Sequence, residues 1–269
     1  MPDPKIAITH ASSLIAEALL QQLAESAIAA DSVVLLDREQ QVGQRLAYGS
    51  SYLTILNQYE YDYEYLLAVC LLQHDAELED LLKHADCYVL GHHLDNQYET
   101  VFARDAEQAL EIPDSPALLR MADARLSSLL TVIQPIHEQY GIRSLQLVFV
   151  ESAGLYGQSA IDELASQTVN LLNSREVDIQ VFPLQLAFNM LPAAGDEDYP
   201  TQLQQLLKAP ALKCSAQAIV TASFYGLAIS VSLELDSDID GDKLKSRLQQ
   251  VSGIKLLNQA ASPLTHCNE

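Results

Sequence analysis

Hydrophobic positions in the first hundred residues fall into short runs separated by stretches of helical period. Lys5–Thr9 reads as a short buried strand, and Leu14–Ala27 follows with apolar residues spaced for one helix face. Ser32–Leu36 is the next strand, ending in Asp37. Leu66–Leu72 and Cys87–Leu90 are two more, with a helical stretch, Ala76–His84, between them. Strands that alternate with helices predict a parallel sheet with crossover helices.

The second half has a different rhythm. Ser127–Tyr140 reads as a helix, Leu145–Val150 as an apolar strand and Ala160–Asn173 as a second helix. A polar stretch, GDEDYP, follows Pro192, and strands are predicted at Ala216–Ser223 and Leu227–Leu235. In the last of these Ile229, Val231, Leu233 and Leu235 alternate with small polar residues, the pattern of a half-buried strand in a mixed or antiparallel sheet. The expected fold class is therefore α/β. A Rossmann-like parallel-sheet domain, 1–125, precedes an α+β domain with a mixed or antiparallel sheet, 126–269.

Composition narrows the function classes. In 269 residues, 36 acidic side chains against 15 basic ones give a formal net charge of −21. Such a surface repels phosphate backbones and anionic head groups, so no nucleic acid and no membrane partner is expected. No run is long and apolar enough for a membrane span, and the N-terminal text MPDPKIAITHASS has no secretory pattern. The four cysteines (Cys70, Cys87, Cys214, Cys267) form no CxxC pair and no metal-ligand spacing, which fits a reducing cytoplasm.

Two stretches carry a family resemblance: SAGLYGQSAIDELASQTVNLLN at 152–173 and FPLQLAFNMLP at 182–192. PIHEQYGIRSLQLVF before the first and KCSAQAIVTASFYGLAISVSLEL after the second join them in one register. Together they resemble the aspartate-semialdehyde dehydrogenase family over nearly the whole chain. The resemblance implies a nucleotide-binding domain followed by a semialdehyde dehydrogenase-type dimerisation domain. It also implies a reductive dephosphorylation at an acyl phosphate. A cysteine thiolate attacks, a histidine moves protons, NADPH supplies hydride, an arginine grips the substrate carboxylate and a glutamine orients the adduct.

Carried over position by position, those roles meet other residues. The nucleophile falls on Ala124 in the text Asp123-Ala124-Arg125, with PALLRMAD before it as one anchor. The glutamine falls on Glu151, the arginine on Val220 and the histidine on Leu227. A methyl cannot attack a carbonyl, and an aliphatic cannot shuttle a proton.

The cofactor turn departs as well. Where the family's glycine-rich turn lets the backbone approach a pyrophosphate, this chain reads His10-Ala11-Ser12-Ser13-Leu14-Ile15-Ala16. Only Ala16 is compatible, and His10 and Ser13 are expected to put side chains where the phosphates would lie. DREQQVGQ, 37–44, stands in place of the family's 2′-phosphate loop, with Asp37 a possible contact to a ribose hydroxyl. LLQHDAE, 71–77, replaces the serine-alanine-glycine segment. GIKLLNQAASPLT resembles text well before the family's usual end, so the long helix that returns to the cofactor is not expected.

Other residues invite sharper readings. The strip YEYDYEY, 59–65, is expected to be an edge strand or loop with one solvated face, and His92 and His93 a loop at a strand end that chelates no metal. Cys70 and Cys87 lie in apolar runs that raise a thiol's pKa, and Glu151 has no nameable partner as a base. These readings lead to a non-catalytic member of the family, similar to its Usg-like relatives, acting as an interaction or regulatory protein. It is expected to form a homodimer through the C-terminal domain and to use no cofactor. The competing expectation is an NAD(P)-dependent aldehyde or acyl-phosphate oxidoreductase with a rebuilt site.

Overall fold

The strand–helix alternation builds one sheet of eight strands. In chain order the elements are β1 (Lys5–Ile8), α1 (Leu14–Glu25), β2 (Val33–Asp37), β3 (Arg45–Tyr48), β4 (Ser51–Asn57), β5 (Leu66–Cys70), α2 (Ala76–Leu82), β6 (Tyr88–Gly91), β7 (Glu99–Val101) and β8 (Leu118–Met121). The strand order is β3-β4-β2-β1-β5-β6-β8-β7, parallel throughout except for the β3–β4 hairpin at one edge. This computed structural model describes residues 5–95, 97–102, 113–122, 124–193, 198–237 and 239–257. Asp123, Cys267, the first residues of the GDEDYP stretch and the text from residue 258 onward lie outside the described residues. The chain folds as two compact units, Met1–Asp123 and Ala124–Glu269.

Both faces of the first sheet are covered, as parallel strands require. Neighbouring β1 residues go to opposite cores: Ala7 joins Leu36, Val69 and Leu78 of α2, whereas Ile8 joins Leu35, Ile55 and Leu20 of α1. Ser13 caps α1 by accepting from the Ala16 N–H, and Asp75 caps α2 by accepting from the Leu78 N–H. The hairpin strands β3 and β4 were not among the predicted strands. Their alternation is short and half exposed, and Gly49, with φ of 55°, makes the turn between them.

The second unit holds α3 (Ala124–Tyr140), β9 (Ile142–Glu151), α4 (Gln158–Leu172), β10 (Met190–Pro192), α5 (Tyr199–Leu206), β11 (Lys213–Thr221), β12 (Leu227–Leu235) and α6 (Gly241–Leu248). Its four-stranded sheet has the order β10-β11-β9-β12, with β9 parallel to β11 and antiparallel to β12. Leu145, Leu147 and Phe149 of the inner strand β9 are at most 2% exposed, and Phe149 meets the Tyr199 ring at 4.8 Å. Leu126, Leu129, Leu130, Ile133 and Ile136 form the buried stripe of α3.

The 182–192 segment, one of the two stretches that carry the family resemblance, has no regular structure before β10, yet it is anchored. Gln167 on α4 accepts from the Leu186 and Ala187 N–H groups at 2.9 and 3.0 Å. One turn earlier, Glu163 accepts from the N–H groups of Gln180 and Val181 and from the Gln167 amide. Two buried side chains thus supply the acceptors that a strand partner would otherwise give. Gln167→Ala leaves two backbone N–H groups without acceptors and is expected to cost about 2–4 kcal/mol. A denaturant titration that moved by less than about 0.5 kcal/mol would contradict this anchoring role.

Candidate functional site

The register of the second sheet assembles three of the four positions singled out in the sequence. Val220 of β11 and Leu227 of β12 both pair with Glu151 of β9, so the three stand side by side at the same end of the sheet. Val220 is 2% exposed and packs with Ala160, Leu164 and Leu191. Ala124 is exposed and opens α3. The next residue, Arg125, reaches Glu151, which brings the first turn of α3 to the same place.

Glu151 is the centre of this cluster, and its partners were not expected from the sequence. Its carboxylate is buried, receiving Arg125 Nε on Oε1 at 2.5 Å and Arg125 Nη2 on Oε2 at 3.2 Å. The Tyr156 hydroxyl donates to Oε2 at 2.6 Å, and Thr221 Oγ1 donates to the Glu151 carbonyl at 3.0 Å. Burial, and then the bond to Glu151, hold the Tyr156 phenol well above its usual range, so it remains a donor. A two-point guanidinium grip plus a phenol leaves Glu151 engaged on both oxygens. Gly154 lets the SAG turn close over this region: a Cβ there would lie 2.8 Å from the Phe224 carbonyl oxygen, to which the turn's N–H is bonded.

In the first unit, the turn after β1 is occupied by its own side chains. His10 takes the positive φ of 50° that glycine usually supplies. Its ring is buried rather than lying over the turn: Nδ1 is 3.3 Å from Thr9 Oγ1 and Nε2 is 3.6 Å from Asp75 Oδ2. Burial, outweighing the nearby Asp37 and Asp75, keeps the His10 pKa below the ordinary imidazole value. The Ser13 hydroxyl is spent within α1, on the Ala16 N–H.

Asp37 is also committed. Its Oδ2 accepts from the Ser12 N–H and its Oδ1 from the Arg38 N–H, both at 2.8 Å, and the residue is 4% exposed. The carboxylate that the sequence offered as a ribose contact holds the first turn in this structure. The Ala11 N–H goes to the Leu36 carbonyl, and the Ser13 N–H to that of His10. A pyrophosphate takes backbone amides at this kind of turn, and here several are used by the chain. A cavity of about 580 Å³ opens beside it, between α1 and the β3–β4 hairpin, with Glu17 and Glu25 in its lining. Those carboxylates disfavour an anion. The residues present do not fit a dinucleotide.

Behind the turn lies a polar hub that sequence reading missed. Asp75 Oδ2 accepts from Tyr59 at 2.6 Å, Gln58 at 3.2 Å and Arg38 at 3.3 Å. These bonds offset the burial of Asp75 and bring its pKa below the usual carboxylate value. The tyrosine strip is a loop whose first three tyrosines turn inward while Tyr65 is exposed: Tyr59 serves Asp75, and Tyr63, 5% exposed, donates to the Gln58 carbonyl. The acids Glu60, Asp62 and Glu64 face solvent. The available signal was Asp75 itself, a helix cap inside the LLQHDAE text. His92 and His93 lie in a loop after β6 with ring centroids 3.8 Å apart, and no metal-holding cluster exists among the described residues. Burial pushes the Cys70 thiol up to about 11 and raises Cys87 and Cys214. Among the described residues, no helix is long and apolar enough to cross a membrane.

The fold defines an α/β protein in which a Rossmann-like unit with a mostly parallel sheet is followed by a unit built on a four-stranded mixed sheet. Sequence comparison finds 25% identity to aspartate-semialdehyde dehydrogenase 2 of Vibrio cholerae, over 96% of this chain and 82% of the relative. A USG-1 protein homolog of Pseudomonas aeruginosa is also 25% identical, with the same coverage of both chains. A probable aspartate-semialdehyde dehydrogenase from Pseudomonas aeruginosa superimposes with a TM-score of 0.83 at 24% identity, over 97% of this chain and 84% of that one. Aspartate semialdehyde dehydrogenase II from Vibrio cholerae gives 0.81 at 21% identity, over 96% and 82%. No family model matches the chain. Over most of its length the chain is similar to aspartate-semialdehyde dehydrogenases and to USG-1 protein homologs.

Removing one member of the buried pair separates a structural role from an incidental contact. Arg125→Met strands the Glu151 carboxylate and is expected to cost about 3–5 kcal/mol. The double variant Arg125→Met with Glu151→Leu should recover most of that loss. Equal destabilisation of single and double variants in urea titrations would count against the pair as the organising contact.

Proposed function

We propose that this protein is a non-catalytic member of the aspartate-semialdehyde dehydrogenase family, acting in the cytoplasm as an interaction or regulatory protein. One observation carries the reading: Glu151, at the family's glutamine position, is buried and held by Arg125 and Tyr156, between Val220 and Leu227. A carboxylate engaged on both oxygens neither orients an adduct nor accepts a proton without breaking a buried ion pair. Ala124 offers no nucleophile, and the aliphatics at 220 and 227 offer neither a carboxylate clamp nor a proton shuttle. The family resemblance supplies the roles, and the residues present argue against their being filled.

The same reading makes the C-terminal unit the place of self-association, as a homodimer. Around 182–192, Leu184, Phe188 and Met190 are 59%, 70% and 68% exposed although the segment is held by Glu163 and Gln167. Large apolar side chains on an anchored segment suit a protein contact.

The purified protein is expected to give no turnover of aspartate semialdehyde with phosphate and either nicotinamide cofactor above the buffer rate. Ala124→Cys alone should not restore it, because the clamp and shuttle remain absent. Cofactor reduction by the unmodified chain would move the assignment to an oxidoreductase with a rebuilt site. NAD and NADP are expected to bind more weakly than roughly millimolar by isothermal titration. A micromolar dissociation constant would instead make a nucleotide sensor of it.

A further inference from the structure

The cavity of about 580 Å³ beside the first turn is a groove between α1 and the β3–β4 hairpin. Glu17, Leu20, Gln21, Ala24 and Glu25 recur at helical spacing, so one face of α1 forms its first wall. Leu46, Ala47 and Gly49 of the hairpin form the second. Small residues keep the walls apart: a Cβ added at Gly49 would already stand 3.8 Å from the Ala24 Cβ. The volume is that of a site for a small organic molecule, about 300–1,000 Å³.

The charge in this groove has one sign. Glu17 and Glu25 are exposed, and no lysine or arginine is among the residues that line it. Arg45, adjacent on β3, lies over the Tyr52 ring at 5.2 Å. Glu25 receives the neutral amides of Gln21 and Gln22, at 2.9 and 3.3 Å, which leave its charge in place. It also stands in the last turn of α1, at the negative end of the helix dipole, and that turn holds no basic side chain. A carboxylate is disfavoured there, and a bound cation would relieve it. Glu17 and Glu25 are eight positions apart on the same face, roughly 12 Å of helix at about 1.5 Å per residue. Between them the walls are the aliphatic side chains of Leu20, Ala24, Leu46 and Ala47.

We infer that this groove binds a linear aliphatic polyamine, with one ammonium on Glu17, another on Glu25 and the methylene chain along Leu20, Ala24 and Leu46. The turn that does not fit a dinucleotide thus borders a site for a ligand of opposite charge. Exposed ammonium–carboxylate pairs are individually weak, so binding needs both ends together with the apolar walls. Polyamine binding neither requires nor excludes the family reaction, and it is tested separately from it.

Isothermal titration of the full chain with spermidine at low ionic strength should show saturable binding at one site. Glu17→Gln with Glu25→Gln should weaken it at least about tenfold. Ala47→Leu, which fills the groove without changing its charge, should weaken it comparably. Glu60→Gln with Glu64→Gln removes the same charge from the exposed side of the tyrosine loop and should leave binding unchanged. 1,3-Diaminopropane, too short to reach both carboxylates, should bind the unmodified chain at least about tenfold more weakly than spermidine, which tests the span without any substitution. Unfolding midpoints of the variants, measured without ligand, separate loss of the site from loss of the fold. If the two glutamine double variants lose affinity equally, spermidine is drawn to the surface of net charge −21 at large and the groove is wrong. Full binding by Ala47→Leu, or no spermidine binding by the unmodified chain, overturns the site as well.

Discussion

The second unit depends on the buried charge that ends its inner strand and on the groups that compensate it. Glu151 ends β9 at the centre of a sheet whose neighbours on both sides are aliphatic, and an isolated carboxylate there would be strongly unfavourable. Arg125 reaches it from the start of α3, Tyr156 from the turn after β9, and Thr221 holds the strand's carbonyl from β11. The contact therefore sets where a helix begins, how the SAG turn closes and how two strands align. Ion pairs of this sort specify an arrangement more than they stabilise it, because desolvation takes back much of the attraction.

The first unit reaches a similar result by different means. Parallel strands leave their carboxyl ends free, and in open α/β sheets that edge is where ligands bind. Here the chain's own groups meet there: Asp37 takes the first turn's amide, Ser13 caps α1, and His10, Arg38, Gln58 and Tyr59 gather on Asp75. An anion entering would have to displace carboxylates from N–H donors, against Glu17 and Glu25 lining the adjacent cavity.

Family resemblance and tertiary structure bear on different properties of the site. Similarity in the 152–192 text identifies the relatives and tells which positions to inspect. It says nothing about the partners of the groups now there. Arg125 was visible only as the neighbour of Ala124, and its pairing with Glu151 spans 26 positions. An acid and a base this far apart in the chain form a pair that a single sequence leaves unlinked.

By itself the sequence determined what depends on local periodicity. β1, β2, β5 and β6 were legible as short apolar runs, α1, α2 and α4 as helices, and Leu227–Leu235 as a half-buried strand with the boundaries observed. Hydrophobic spacing specifies such elements because each buries one face regardless of what it meets. The β3–β4 hairpin, short β7 and β10, and the roles of Asp37, Asp75 and the tyrosine strip were decided only in three dimensions. Each of those is a hydrogen bond or strand pairing between residues far apart in the chain, and no local pattern encodes the partner. The tertiary structure brought Val220, Glu151 and Leu227 into one row because register across three strands is a property of the sheet, not of any segment within it.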